Sequence, residues 1–387
     1  MKSICDVALN IGDLRELAKR RLPKGMFEFM DRGSEDDIAI RNNIKAYENI
    51  KLKPRTLIDV SKRNISINIF GEQQNSPLII GPTGVADLLW WKGESALARA
   101  ASKANIPFTL ATSSTTPMEQ IIQQTSGRMW LQMYLWDQRE FSLQIIKRAQ
   151  NAGTRTLVLT VDTPVAPNRE FNIRNGFTNP FRLTPKMTID TLTHPRWLFG
   201  VMGRYMLNGG MPRYANYPPE MSGKITGKPI RAANSSTVCW EDVDKLRALW
   251  KGTFILKGIL TAKDAKLAVH YGVDGIIVSN HGGRNLDATM APIDALPEVL
   301  TATEGRLTVI VDSGIRRGTD VIKALACGAH AVMIGRAALY GLGAAGEAGV
   351  SRSLSILSDE IDRTLALVGK TNLQQLDPSI IHNKSIG

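Results

Sequence analysis

Nine consecutive residues, Ser279-Asn280-His281-Gly282-Gly283-Arg284-Asn285-Leu286-Asp287, follow the apolar run Gly275-Ile276-Ile277-Val278 and concentrate the chemistry of this chain. A buried strand ending on a histidine, two glycines and an arginine sets a base that titrates near neutrality beside a permanent cation, and the glycines let the backbone approach a planar ligand closely. Two glycine-rich turns, Asp312-Ser313-Gly314-Ile315-Arg316 and Ile334-Gly335-Arg336, offer backbone N–H groups and arginines to the phosphate of a cofactor. No strand-linked G-x-G-x-x-G opens a βαβ unit, which disfavours a nicotinamide dinucleotide.

Such groups need elements to hold them. Eight β-rich runs, at 77–81, 108–111, 130–134, 157–161, 254–257, 275–279, 309–312 and 332–335, alternate with helical stretches. That alternation implies a parallel sheet, and eight units close it into an α/β fold, the (β/α)8 TIM barrel. Gln132 and Tyr134, Thr160 and Asp162, Lys257, Ser279 and His281, Asp312 and Gly314, and Gly335 with Arg336 fall at or just beyond the C-terminal ends of these runs. Active sites of this architecture collect at that end. Residues 1–50 form an N-terminal helical cap, with Leu14, Leu17, Ala18 and Leu22 on one face and Pro23 in the first turn of the next helix. The whole chain, 1–387, is expected to be one domain: 43% hydrophobic and 22% charged residues are ordinary for a globular protein of this length.

The nine-residue motif resembles the signature of the FMN-dependent 2-hydroxy acid oxidases and dehydrogenases, apart from Asn285, where that family usually carries Gln. The similarity runs from residue 14 to about residue 377 and is greatest to the (S)-mandelate dehydrogenase branch. The resemblance implies FMN as cofactor and His281 as the catalytic base. It also implies that Asp162, in Val161-Asp162-Thr163-Pro164, orients and stabilises the imidazolium without itself reacting. Arg284 and Arg169 would hold the substrate carboxylate, for which a guanidinium fork is suited, and the Tyr134 hydroxyl would touch the substrate. Read without the family, Asp162 is equally a helix cap, Arg169 a surface residue and Tyr134 a core aromatic.

On the cofactor side the resemblance places the Lys257 cation at the pole of the flavin that gains negative charge on reduction. It gives Asp312 the ribityl hydroxyls, Gln132 and Thr160 the ring edge, and the Pro82-Thr83-Gly84 backbone a path beside N5. Ser279 joins this set, and Gly314, Arg316, Gly335 and Arg336 fall to the phosphate. The chain departs from the family at Phe29, where most relatives have a tyrosine that binds the carboxylate, and at Ala111, a frequent serine near the flavin. Gly84 and Ser113 are smaller than the Ala and the Leu or Val common elsewhere, leaving room for an aryl side chain.

The interval 177–231, after the fourth strand, breaks the barrel alternation. It mixes Arg182, Lys186, Arg196, Arg204, Arg213 and Lys224 with Trp197, Leu198, Phe199, Met202, Tyr205, Met206 and Leu207, a composition suited to the headgroup level of a bilayer. In the mandelate dehydrogenase branch the corresponding insertion is the membrane-binding segment; a lid or a subunit contact is the alternative from composition alone. The net charge of +12 is scattered, without a zinc-finger or RNA-binding signature, so nucleic acid is not expected as a partner. Cys5, Cys239 and Cys327 are far apart and outside metal-ligand spacing, and read as reduced cytosolic thiols with no metal site. No signal-peptide pattern is visible at the start.

The resemblance therefore implies oxidation of an (S)-2-hydroxy acid, (S)-mandelate or another aryl acid, to the 2-keto acid. Electrons would pass to a membrane quinone from a cytoplasmic homotetramer lying peripherally on the inner face of the cell membrane. Quinone-linked L-lactate oxidation or an oxygen-using oxidase is the near alternative. A flavin-dependent isomerase fits less well with paired arginines about His281, and Phe29 is the only clear loss of the kind a non-enzymatic protein would show.

Overall fold

A computed structural model describes residues 7–126, 128–176, 184–225 and 235–382. Eight parallel strands close into a barrel: β1 (Leu78–Ile80), β2 (Phe108–Ala111), β3 (Met129–Met133), β4 (Thr156–Thr160), β5 (Thr253–Ile259), β6 (Gly275–Val278), β7 (Thr308–Val311) and β8 (Ala331–Ile334). Closure is made by β8 on β1, with Val332 opposite Leu78 and Ile334 opposite Ile80. These strands are short, rich in branched side chains and buried along almost their whole length, as strands covered on both faces must be. The expected (β/α)8 barrel is the fold.

One strand runs past its expected end. Residues 254–257 extend to Ile259 through a register shift against β6, because Gly258 takes φ +109°, a left-handed backbone open to glycine. That bulge lies beside the site.

Three helices build the N-terminal cap: α1 (Ile11–Arg21), α2 (Lys24–Asp31) and α3 (Ile38–Asn49). Asn10 caps α1 by accepting from the Asp13 N–H at 3.0 Å, and Leu14, Ala18 and Leu22 are buried against the C-terminal helix Arg336–Leu367. Pro23 occupies the N-cap of α2, one position before the first turn. At the opposite, N-terminal mouth of the barrel, Phe70 in the turn of the hairpin Ile67–Ile69/Glu72–Gln74 packs on Trp130 and closes the floor.

The long insertion lies between β4 and β5 as expected. Its described part carries the helix Pro185–Leu192, a short helical run from Pro195 to Leu207, and a loop over 212–225. Arg182, the Lys186 side chain and residues 226–231 fall outside the described residues, as does Cys5.

Candidate active site

The Ser279–Asp287 motif is a junction between barrel and cap. His281, Gly282 and Gly283 follow β6 with φ of +58°, +69° and +72°, a left-handed run that is strained at the histidine and turns the chain sharply at the strand end. A Cβ on Gly283 would meet the Ile40 backbone nitrogen at 2.8 Å, so only glycine lets α3 seat here. Asp287, buried at the end of the motif, accepts from the N–H groups of Asp36, Ile38 and Ala39 at 2.9–3.1 Å and so caps α3. Asn280 and Asn43 exchange amide hydrogen bonds at 2.7 and 2.9 Å. Half of the motif thus secures the cap.

The other half faces a cavity of about 450 Å³ at the C-terminal mouth. His281 Nδ1 lies 2.8 Å from Asp162 Oδ1. With Nδ1–H donated to the carboxylate, Nε2 is the nitrogen left to accept a proton. Burial pushes the histidine below its ordinary value, with Lys257 and Arg169 acting in the same direction and Asp162 opposing them. Burial alone would raise the Asp162 carboxyl, but the charge and hydrogen bond of His281, and Lys257, outweigh it and hold the acid ionised.

Asp162 is not a helix cap; the next helix begins only at Glu170. Two residues missed by sequence reading hold it. A Cβ on Gly258 would fall 2.5 Å from the Asp162 Cβ, so the β5 bulge creates the space for the carboxylate. Asn285 Nδ2 donates to the Asp162 carbonyl at 2.7 Å and to Thr163 Oγ1 at 2.8 Å. The Gln-to-Asn departure therefore still supplies an amide that braces this loop. The positive φ needed at Gly258 was the only sequence signal, hidden inside an apolar run.

Arg284 donates through Nη1 to the carbonyls of Phe29 and Arg32 at 2.8 and 2.9 Å, completing the C-terminal end of α2. Its Nε and Nη2 make no hydrogen bond among the described residues. Arg169 likewise uses only Nε, toward the Arg284 carbonyl at 3.2 Å. Burial, then Arg169 and Arg336, push Arg284 well below its ordinary value. Packed cations with unspent donors call for an anion in the cavity. The Phe29 ring lies 5.2 Å from the Arg284 guanidinium, so the residue that stands where most relatives carry a tyrosine meets this cation with its ring. Tyr134 lines the same cavity, where burial raises its hydroxyl well above the ordinary phenol value and keeps it neutral.

The residues assigned to a cofactor surround the rest of the cavity. Pro82, Thr83, Gly84, Gln132, Thr160, Lys257, Asp312, Gly314, Arg316, Gly335 and Arg336 all line it. Ser279 does not; it is fully buried behind Lys257, accepting from Nζ at 2.6 Å and from the His281 N–H at 3.1 Å. Lys257 also pairs with Asp312 at 2.9 Å, and although burial works against the ammonium, Asp312 and Asp162 raise it above its ordinary value. Arg336 spends three donors on the carbonyls of Met30, Gly282 and Arg32, a role at the cap that spacing did not reveal.

These residues fit a flavin mononucleotide. The Thr83 hydroxyl is buried without a protein partner beside the Gly84 backbone. A Cβ on Gly335 would meet nothing within 4 Å, leaving open space where the helical stretch Arg336–Leu367, kinked at Ala345 and Gly346, begins with the Arg336 and Ala337 N–H groups unspent among the described residues. The described part of the insertion contributes Tyr214, Tyr217 and Ile225 to the wall, none of them singled out from sequence.

The sequence matches the family model described as FMN-dependent dehydrogenase over residues 18–383. It is 40% identical to the (S)-mandelate dehydrogenase of Pseudomonas putida, covering 97% of this chain and 94% of that protein. An L-lactate dehydrogenase of Alcaligenes faecalis is 36% identical, covering 95% and 97% respectively. Among solved structures, a monotopic membrane protein (S)-mandelate dehydrogenase superposes with a TM-score of 0.91 at 38% identity, covering 98% of this chain and all of that one.

Proposed function

From the premise that this chain belongs to the FMN-dependent dehydrogenase family, as an FMN-dependent 2-hydroxy acid dehydrogenase, we propose that it oxidises an aryl (S)-2-hydroxy acid such as (S)-mandelate and delivers the electrons to a membrane quinone. The observation that carries the reading is His281, hydrogen-bonded to Asp162 behind it, facing one cavity with two arginines that hold unspent donors.

Oxidation of R–CH(OH)–COO⁻ to R–CO–COO⁻ releases two protons and two electrons. FMN, when bound, supplies the two-electron acceptor that no side chain provides. Arg169 and Arg284 bind the carboxylate and Tyr134 orients the hydroxyl end of the acid. His281 Nε2 takes one proton, the second leaving with the two electrons to the acceptor that FMN would supply, and Asp162, hydrogen-bonded at Nδ1, stabilises the imidazolium that results. Arg284 couples this chemistry to the cap, since the same guanidinium closes α2.

Lys257, with Asp312, Gln132 and Thr160, would hold the flavin, while the glycine turns with Arg316 and Arg336 would hold its phosphate. Lys257→Met is expected to keep FMN bound but lower its midpoint potential by about 30–60 mV, the equivalent of roughly 1.4–2.8 kcal/mol for a two-electron couple. A redox titration giving an unchanged potential would place the lysine away from the ring.

The aryl preference is supported by Gly84 and Ser113, two small residues that adjoin in the cavity lining: a Cβ on Gly84 would lie 2.5 Å from Ser113 Oγ. Gly84→Ala with Ser113→Leu should act as one unit and reverse the ratio of kcat/KM for (S)-mandelate over L-lactate, a change of about 10- to 200-fold. Equal losses on both acids would point to damage rather than selection.

Membrane contact is supported by exposed Ile189, Leu192, Phe199, Met206 and Leu207, which share the insertion with exposed Arg196 and Arg204. Trp197 and Tyr205, first grouped with them, act as anchors: Trp197 Nε1 donates to the Leu88 carbonyl at 2.7 Å and the Tyr205 hydroxyl accepts from the Lys92 N–H at 3.1 Å. No helix among the described residues is long and apolar enough to cross a membrane. Peripheral contact on the inner face of the cell membrane would bring the cavity to a quinone. Anaerobic reduction by a panel of 2-hydroxy acids, followed by reoxidation with a quinone analogue or oxygen, tests the reading: reduction by aryl acids and faster reoxidation by the quinone is expected, and faster reoxidation by oxygen would make the protein an oxidase.

A further inference from the structure

We infer that the stacked pair Tyr214–Tyr217 is the wall of the reaction cavity that receives the substrate side chain, and that its aromatic rings select planar aryl groups over a methyl group. The inference deepens the proposed oxidation of a 2-hydroxy acid and rests on it for the reaction, but not for the binding preference.

The two rings are parallel, 4.9 Å apart with 12° between their planes, and Trp136 braces Tyr217 edge-on at 5.0 Å. Both tyrosines line the cavity that holds His281, Arg169 and Ser113. Neither hydroxyl makes a hydrogen bond among the described residues, and burial raises both above the ordinary phenol value, so each ring presents itself neutral. Neutral aromatic side chains in the lining of a cavity that also holds the carboxylate cations suit a flat apolar group attached to a carboxylate.

The wall is held rigidly. Asn216, between the tyrosines and fully buried, accepts from the Met118 N–H at 2.8 Å and donates to Ser114 Oγ at 2.7 Å and the Thr116 carbonyl at 2.9 Å. The Ala215 N–H donates to the Ser114 carbonyl at 3.1 Å, and Arg148 donates to the Ala215 carbonyl at 2.9 Å. The loop is closed on itself by a bridge between Arg213 and Lys224. Its anchor is the stretch after β2 that carries Ser113, so the aromatic faces and the small residue keep a fixed separation and little ordering is needed on binding. The described residues of the insertion accordingly divide into a helical part over 185–207, anchored by buried Met187, Trp197 and Val201, and this loop, which belongs to the cavity.

The test uses the holoenzyme with Tyr217→Leu, Tyr214→Leu and the matching Phe variants. Each Leu variant should lower kcat/KM for (S)-mandelate by about 10- to 100-fold while L-lactate changes less than about 3-fold, and the Phe variants should retain the preference. Flavin difference spectra supply a binding readout without turnover: phenylglyoxylate should bind the Leu variants more weakly by a similar factor, with pyruvate little affected. Equal losses for the aryl and the small ligand in both assays, or no loss for either, would overturn the wall, as would loss of the preference in the Phe variants. If neither acid reduces the unmodified flavin, the proposed reaction fails, and the phenylglyoxylate and pyruvate titrations still decide the wall.

Discussion

His281→Gln is expected to retain FMN and the folded barrel while losing flavin reduction by roughly 10²–10⁴-fold, the range over which a positioned general base contributes. The glutamine keeps a side-chain amide within reach of Asp162 but cannot take a proton at Nε2, and no residue assigned to the cofactor is altered. The unmodified enzyme should show the matching pH dependence. Because His281 lies below its ordinary value of 6.5 in the resting site, it is already neutral at pH 7, so reduction should be level there and fall only as pH drops below about 6.5. The variant should lose that acidic limb. Anaerobic stopped-flow measurement across pH decides both, and reduction at near the unmodified rate would remove His281 from the base role.

Arg284→Met is the second large effect. It deletes a cation with donors available to the substrate carboxylate and also removes two hydrogen bonds to the Phe29 and Arg32 carbonyls at the end of α2, where Arg32 still accepts from Arg336. Truncating one partner of a buried hydrogen-bonded charge pair costs about 2–5 kcal/mol, or roughly 30- to 5,000-fold in kcat/KM. Methionine preserves much of the apolar stem, so the loss should fall on carboxylate binding and on seating of the cap. Arg284→Lys separates these, since the charge remains and the planar fork does not. It should recover only part of the lost kcat/KM. Full recovery with lysine would show that charge alone suffices, and an unchanged KM and kcat in the methionine variant would leave Arg169 as the carboxylate ligand.

The barrel was legible because its signals are local. The strands are short apolar runs, several of them rich in branched residues, and eight repetitions of one alternation leave little choice of architecture. Gln132, Thr160, Lys257, His281 and Asp312 all lie within three residues of the C-terminal end of a strand, so the same count, with strand boundaries chosen in the light of the family resemblance, brought them to the mouth. Tyr134 and Asp162 also fell at strand ends, but the resemblance contributed their roles and the choice of Arg169, for which the residues alone left a core aromatic, a helix cap and a surface site open.

What the chain order could not express is contact between segments far apart in sequence. Ser279 was assigned to the cofactor and instead supports Lys257 and His281 from behind, because burial is a property of the closed barrel and not of the strand. Arg284 and Arg336 were read for the ligands they resemble, yet each also completes carbonyls at the end of α2, more than two hundred residues away. The insertion was read as one interface from its composition, and packing divided it by burying Trp197 and pinning Asn216 to the loop after β2. Residue type and period thus determined the barrel and which groups reach its mouth. Only the tertiary structure decided which donors remain unspent there, because a donor is spent by a carbonyl whose position depends on how the cap, the bulge at Gly258 and the insertion pack together.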